Sequence, residues 1–445
     1  MTLSIIILAA GKGTRMKSET PKVMHKIAGR EMLNLTIDAA KTLNPQEISI
    51  VISDEIQPFE AQIQKDHDNQ KISFILQKER KGTAHAVSTA ISNIKNLGEK
   101  VLVLYGDTPL LESETLRKMV EKLEDFSLCV LGFDDFAPNA YGRLVVDEEG
   151  NLERIVEFKD ASITEKHITL CNSGVMAFDG KKIAQIMPRI KDNNAAKEFY
   201  LTDAISIARA MSLECSFIKT DISEVLGANS RSELAALEEI KQNKIRQKMM
   251  DDGVTLIDPN SVFFAFDTKI SNDVIVHPHV VFGKKVAIET GVEIKSFSHI
   301  EGAKIAAGCV VGPFARLRPE TILEENVKIG NFVEVKKSHL KNGAKVNHLS
   351  YIGDAEIGRE SNIGAGTITC NYDGYTKSKT IIGDNVFIGS NSALVAPVEI
   401  HSGALVAAGS VITKNVAKDE LAFARSKQNN LENGGKKFRD AKSKE

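Results

Sequence analysis

Beyond about residue 254 an aliphatic side chain returns at every sixth position, and few folds can hold such a period. Val274, Val280, Val286 and Val292 carry it, then Ile305, Val311 and Leu317, then Leu340, Val346 and Ile352. It is cleanest over Ile382, Ile388, Leu394, Ile400, Val406 and Ile412. Six helical steps rotate a side chain by about 240°, so no helix keeps these residues on one face. A β-helix does, because each hexad supplies one short strand and one corner. The aliphatic points into a prism, and Gly or another small or turn-forming residue follows it, as in Ile388-Gly389-Ser390-Asn391. Three hexads close one coil, so residues about eighteen apart should stack. The pattern predicts a left-handed parallel β-helix of hexapeptide repeats over 253–425.

The first half follows another grammar. Ile5 to Leu8, Ile48 to Ile52 and Val101 to Leu104 read as buried parallel strands, with helical periodicity at Met32 to Ala40 and Ala84 to Ile94. This is α/β, a Rossmann-like doubly wound sheet over 1–230, whose ligands gather at the carboxyl ends of the strands. Leu234, Leu237, Ile240, Ile245 and Met249 mark one helical face across 231–252. That segment is either a connecting helix or the last helix of the first domain. The charged, Gly- and Asn-containing stretch 426–445 reads as a flexible tail.

Composition removes several classes of partner. The 445 residues carry a formal net charge of -2, no Trp and few aromatics, which argues against nucleic acid as the main ligand. The apolar run Ile5 to Ala10 is far too short to span a membrane, and the opening residues lack the basic start of a secretory signal. Five scattered cysteines, with no metal-ligand spacing, suit reduced thiols and a cytoplasmic protein.

Leu8-Ala9-Ala10-Gly11-Lys12-Gly13-Thr14-Arg15-Met16 follows the first strand directly. It matches neither a dinucleotide fingerprint nor a Walker loop. Its small residues nonetheless let backbone N–H groups approach phosphate, and Lys12, Arg15 and Lys22 supply charge. Asp107, in Tyr105-Gly106-Asp107-Thr108-Pro109, ends a strand. There it suits either a divalent cation or a turn cap. In the second half the informative places are interruptions of the repeat. Cys370 to Lys379 is an insertion between regular hexads, either a loop reaching a neighbouring prism or a tolerated surface loop. His348 is a lone histidine just upstream, and Arg318 and Lys336 stand one coil apart, a spacing that suits a phosphate.

Taken together, the loop, Pro21-Lys22 and Asp107 resemble those of the sugar-1-phosphate nucleotidylyltransferases. Nearly the whole chain is similar to the bifunctional N-acetylglucosamine-1-phosphate uridylyltransferase/glucosamine-1-phosphate N-acetyltransferases. The resemblance implies a UTP site built from Leu8, Ala9, Ala10, Gly11, Arg15, Lys22, Gln77, Gly82 and Thr83. It implies sugar contacts from Tyr105, Gly142 in Tyr141-Gly142-Arg143, Glu157 and Asn172, with Mg²⁺ on Asp107 and Asn229. The sugar-phosphate oxygen would attack the α-phosphorus in line and, being already ionised, would need no base.

For the second half the resemblance implies His348 as the base that accepts a proton from the glucosamine amine. Arg318, Lys336 and Lys377 would bind the phosphate of glucosamine-1-phosphate, and Tyr351, Asn362, Asn371 and Tyr372 its sugar. Ala365, Ser390, Ala408 and Arg425 would line the acetyl-CoA groove, with sites between the subunits of a homotrimer. Two rivals fit the same architecture. One is an ADP-glucose or GDP-mannose type enzyme whose β-helix only assembles subunits. The other is a translation-factor subunit with no activity.

Overall fold

The computed structural model describes residues 2–443 except 12, 138 and 195. The chain divides into two compact units, Met1–Lys241 and Gln242–Glu445.

In the first unit the strand Leu3–Leu8 runs parallel to Glu47–Ile52 on one side and to Lys100–Tyr105 on the other. Ile72–Leu76 extends the sheet in parallel beyond Glu47–Ile52. Ile5, Ile6 and Ile7 are all fully buried, because both faces of the sheet are covered. Leu33 and Ile37 of the helix Met32–Lys41 share a core with Ile5 and Ile7. Ala84 and Val87 of the helix Thr83–Asn93 share the opposite core with Ile6.

The sheet is not wholly parallel. Leu170–Asp179 lies antiparallel between Lys100–Tyr105 and Leu128–Asp134, and Cys215–Lys219 is parallel to the latter. After Leu128–Asp134 the chain forms the hairpin Arg143–Val146 and Leu152–Val156, passes through the one-turn helix Ile163–Lys166 and returns through the sheet. A return of this kind needs no crossover helix, so the neighbour is antiparallel. The carboxyl ends of Leu3–Leu8 and Lys100–Tyr105 meet side by side, with Leu8 opposite Tyr105.

The second unit is a prism with three faces. Among the described residues these are parallel sheets of ten, nine and eight short strands. Coils repeat mostly at eighteen or seventeen residues, as in Ile275 opposite Glu293 and Asn331 opposite His348. The insertion lengthens one coil, setting Asn362 opposite Phe387. Two side chains of each hexad point inward, two residues apart, and the six-residue period follows the earlier one over Val274 to Val292 and the later one from Ile305 on. The earlier one is usually the smaller: Val280 before Phe282, Ala303 before Ile305, Ala315 before Leu317, Ser361 before Ile363, Ser410 before Ile412. Three faces converge there and leave no room for more. Several buried hydroxyls donate to turn carbonyls, Ser392 to Gly389 and Ser410 to Ala407 at 2.6 Å, while those of Thr268 and Thr380 have no partner among the described residues.

The helix Arg231–Asp251 closes the amino end of this prism with its last turns. Gln242 pairs with the backbone of Phe264 as a strand would, donating to its carbonyl at 2.8 Å and accepting from its N–H at 2.9 Å. Arg246 donates to the Val262 carbonyl and lies over the Phe263 ring. At the other end the stretch read as a tail carries the helix Gly434–Lys442, with no buried residue. Among the described residues no helix is long and apolar enough to cross a membrane, and all five cysteines are free.

Candidate active sites

The phosphate loop and the strand ends of the first unit enclose a cavity of about 490 Å³. Leu8, Ala9, Ala10, Gly11, Lys22, Gln77, Gly82, Thr83, Tyr105 and Asp107 all line it. The loop folds back because Gly13 has a φ of +57°, and a Cβ there would stand 2.6 Å from Lys22 Cβ. Lys22 is thereby drawn inward. Its ammonium bonds the Asp107 carboxylate and, at 3.1 Å, the Asn229 side-chain oxygen. Gly227 packs against Asp107 and brings Asn229 into place. Two oxygen donors thus converge on one cation position, a donor set that fits Mg²⁺ completed by phosphate oxygens and water. Arg15 is exposed and does not line the cavity, and Lys12 lies outside the described residues.

The far wall is preformed. Gly82, at a φ of +114°, starts the helix Thr83–Asn93, and a Cβ there would stand 2.5 Å from the Phe199 carbonyl oxygen. The buried Tyr105 hydroxyl is pushed up in pKa by burial, then by Glu157 and Asp107, while a bond with Thr83 opposes the shift. A bulge after Asn172 lets Gly174 lie flat on the Tyr105 ring, where a Cβ would come to 2.8 Å. Asn172 donates its backbone N–H to Gly142, and Glu157 accepts from Thr202 at 3.0 Å. Burial raises the pKa of Glu157 and Asp160 and Asp203 add to the rise, against the Thr202 bond.

On the prism, backbone hydrogen bonds set one corner in register from coil to coil. Leu349 donates to Asn331, Gly366 to His348, Asn391 to Ala365 and Gly409 to Ser390, and Arg425 closes the column on the Ala408 carbonyl at 2.8 Å. Asn331, His348, Ala365, Ser390 and Ala408 therefore climb one edge. Beside them runs a ridge of left-handed residues: His279, Phe297, Phe314 and Phe332, stacked at 4.9 to 5.0 Å, then Leu349. Above Leu349 the ridge positions become Gly366, Asn391 and Gly409. The aromatic wall stops at the level of His348, and a bare groove lined by small residues continues.

His348 Nδ1 lies 2.9 Å from Asn331 Oδ1. A carbonyl oxygen only accepts, so Nδ1 carries the proton and Nε2 keeps its lone pair. Arg318 and Lys336 do stack, with Arg316 and Leu317 paired to Glu334 and Val335 just before them. Lys377 joins them from the insertion. Its ammonium, then some desolvation, then Arg318 lower the pKa of Lys336, partly offset by Asp354. Asn371 is buried and donates to Asp354 at 2.5 Å, while Tyr372 is exposed and donates to the Gly374 carbonyl. Tyr351 and Asn362 stand on two adjoining faces, half-buried.

Two family models match the chain. Residues 5–167 match the MobA-like NTP transferase domain, and residues 379–414 match the bacterial transferase hexapeptide (six repeats). The bifunctional protein GlmU of Zymomonas mobilis is 48% identical over 99% of this chain and 98% of its own. That of Paramagnetospirillum magneticum is 47% identical over 98% and 96%, and that of Agrobacterium fabrum 47% over 95% and 93%. The chain belongs to the bifunctional GlmU family.

Membership in the GlmU family sets aside both rival readings, the assembly-only prism and the inactive translation-factor subunit. It also directs attention to side chains that sequence reasoning missed. Asn331 holds the His348 ring, Asp354 holds Asn371, Glu334 pairs with Arg318 at 2.7 Å and Thr202 holds Glu157. Asn331 and Asp354 were within reach of the sequence, since one coil separates each from its partner, His348 and Asn371; the other two follow only from packing.

Proposed function

We propose that the cavity and the groove divide two chemistries between them. The chain makes UDP-N-acetylglucosamine, first moving an acetyl group from acetyl-CoA to glucosamine-1-phosphate. It then moves uridylyl from UTP to N-acetylglucosamine-1-phosphate, releasing pyrophosphate.

In the groove, His348 Nε2 takes a proton from the sugar amine as its nitrogen attacks the thioester carbon and the thiolate of coenzyme A leaves. The Asn331 bond fixes the tautomer that leaves Nε2 free. Arg318, Lys336 and Lys377 hold the sugar phosphate, and the mutual repulsion that lowers the Lys336 pKa is relieved when an anion sits among them. Tyr351, Asn362, Asn371 and Tyr372 hold the sugar. The long pantetheine arm of acetyl-CoA runs over Ala365, Ser390 and Ala408, whose small side chains leave it room, toward Arg425. Exposed Phe297, Phe314 and Phe332 make the adjoining ridge a surface for a neighbouring prism, which supports a homotrimer that completes the groove.

In the cavity, Leu8, Ala9, Ala10 and Gly11 offer backbone N–H groups to the triphosphate, with Lys22 and Arg15 as cations. Asp107 and Asn229 would hold Mg²⁺, which supplies neutralisation of phosphate charge when bound. Gln77, Gly82 and Thr83 read the base. Tyr105, Gly142 and Asn172 position the sugar. Glu157, half-buried and with no cation among the described residues that shift its pKa, is poised to accept sugar hydroxyls. Catalysis here is positioning and charge neutralisation, since the phosphate nucleophile is already ionised. The free thiols suit a cytoplasmic enzyme.

The observation that carries this reading is the column Asn331–His348–Ala365–Ser390–Ala408 in the same chain as the Lys22–Asp107–Asn229 cluster. Supplying glucosamine-1-phosphate, acetyl-CoA, UTP and Mg²⁺ while following thiol and pyrophosphate separately tests it. Thiol should appear first, with pyrophosphate dependent on it. Pyrophosphate formed only from a pre-acetylated sugar phosphate would make the prism a scaffold.

A further inference from the structure

Gln77 is one of the few buried polar side chains in the wall of the cavity, at 6% exposure. Its backbone is fixed where the strand Ile72–Leu76 ends, its N–H donating to the Ile52 carbonyl at 2.9 Å. Its side-chain Nε2 lies 3.0 Å from Nδ1 of His85. An amide nitrogen can only donate, so Nδ1 accepts and the ring proton is on Nε2 of the histidine. His85 stands in the first turn of the helix Thr83–Asn93, whose start is pinned by Gly82 against Phe199. The helix therefore holds the ring, and the ring holds one end of the amide. Among the described residues nothing donates to Gln77 Oε1, and that oxygen is not among the buried atoms left without a partner.

We infer that His85 is a positioning residue that makes the site selective for uracil, by locking the side-chain amide of Gln77 in one of its two orientations. The inference rests on the uridylyl reading of this cavity. Uracil presents an N3–H donor beside carbonyl acceptors, whereas cytosine presents an N3 acceptor beside an amino donor. A primary amide matches either base, because turning it by 180° exchanges its oxygen and nitrogen. A glutamine free to turn would therefore accept both nucleotides. With one Nε2 hydrogen tied to His85, the remaining Nε2 hydrogen and Oε1 form a fixed donor–acceptor pair. That pair complements the N3–H and carbonyl edge of uracil and sets like against like on cytosine. Turning the amide would put Oε1 against the lone pair of Nδ1 unless the His85 proton moved from Nε2 to Nδ1 in the same change. Cytosine would thus meet either two unpaired groups or a site that must turn the amide and switch the His85 tautomer together, and costs of this kind are what give polar sites their discrimination.

The test measures kcat/KM for UTP and CTP with N-acetylglucosamine-1-phosphate and Mg²⁺, in the wild type, His85→Leu and His85→Asp. Leucine removes the acceptor. Aspartate places an acceptor-only oxygen the same number of bonds from Cα as Nδ1, in a first helical turn that tolerates negative charge. The UTP-to-CTP ratio should fall at least about tenfold in His85→Leu and return in His85→Asp, even if both rates drop together in either variant. A ratio unchanged in His85→Leu, or lost equally in His85→Asp, overturns the role of the hydrogen bond. A wild type that does not use UTP, or does not prefer it to CTP, overturns the uridylyl reading itself, so the two failures are distinguishable.

Discussion

The two sites of this chain are built in opposite ways. In the cavity wall and behind it polar groups are inside: Gln77, which lines the cavity, is 6% exposed and Asn172, behind Tyr105 and Gly174, is 7% exposed, and both are tied to neighbours before any ligand arrives. In the groove most are outside: His348, Lys377 and Ser390 face solvent and Tyr372 is 58% exposed, with Asn371 the buried exception. A crossed α/β sheet creates a crevice where strands end, so one chain suffices to enclose a substrate. A prism with a filled interior has no crevice of its own and must use its edges. Its site is therefore shallow, with an exposed aromatic ridge beside His348.

That contrast is best broken by mutations that should silence one site and spare the other. Asp107→Ala should lower uridylyl transfer by at least about 10³-fold, because the carboxylate that would hold Mg²⁺ and that holds Lys22 is lost. Acetyl transfer should stay within about twofold; a parallel loss in a folded variant would contradict separate sites. His348→Ala should lower acetyl transfer by about 10² to 10⁴-fold, the usual worth of a positioned base, with pyrophosphate release from pre-acetylated sugar unchanged. Lys336→Met should act more gently, raising KM for glucosamine-1-phosphate about tenfold and weakening its salt dependence, with little change in KM for acetyl-CoA.

The smallest effect sharpens the energetic side of the comparison. Burial raises the pKa of Glu157 above its ordinary 4.5, so its ionised form is penalised in the folded state. Between 4.5 and the raised value the folded protein binds more protons than the unfolded chain, and stability falls as pH rises through that window. Glu157→Gln should therefore melt higher than wild type at neutral pH, with the gap closing below about pH 4. An equal or lower melting temperature at neutral pH would show that the buried charge is compensated.

The prism is more legible in the sequence than the cavity, and for a physical reason. A six-residue period is a property of spacing along the chain, so the faces and the one-coil stacking of Arg318 with Lys336 and of Ser390 with Ala408 follow from residue numbers, whereas the insertion lengthens the coil between Ala365 and Ser390 and hides the rest of the column. The small inward residue of each hexad is legible over Val274, Val280, Val286 and Val292 and hidden beyond them, where Ala, Ser, Thr, Cys and Val share the position and no single type repeats. In the first unit, strands and helices are legible from their apolar patterns. The antiparallel Leu170–Asp179 is not, because a strand buried on both faces reads the same in either direction. Contacts such as Thr202 on Glu157 and His85 on Gln77 join residues by packing or rotamer, which no spacing announces.

The central claim is that two independent sites are linked only by the N-acetylglucosamine-1-phosphate that leaves one and enters the other. Mixing purified Asp107→Ala with purified His348→Ala, supplied with glucosamine-1-phosphate, acetyl-CoA, UTP and Mg²⁺, tests it directly. Neither variant alone should yield UDP-N-acetylglucosamine, and the mixture should restore its formation after a lag. A mixture as inactive as its parts, with each variant retaining its remaining half-reaction, would contradict the account.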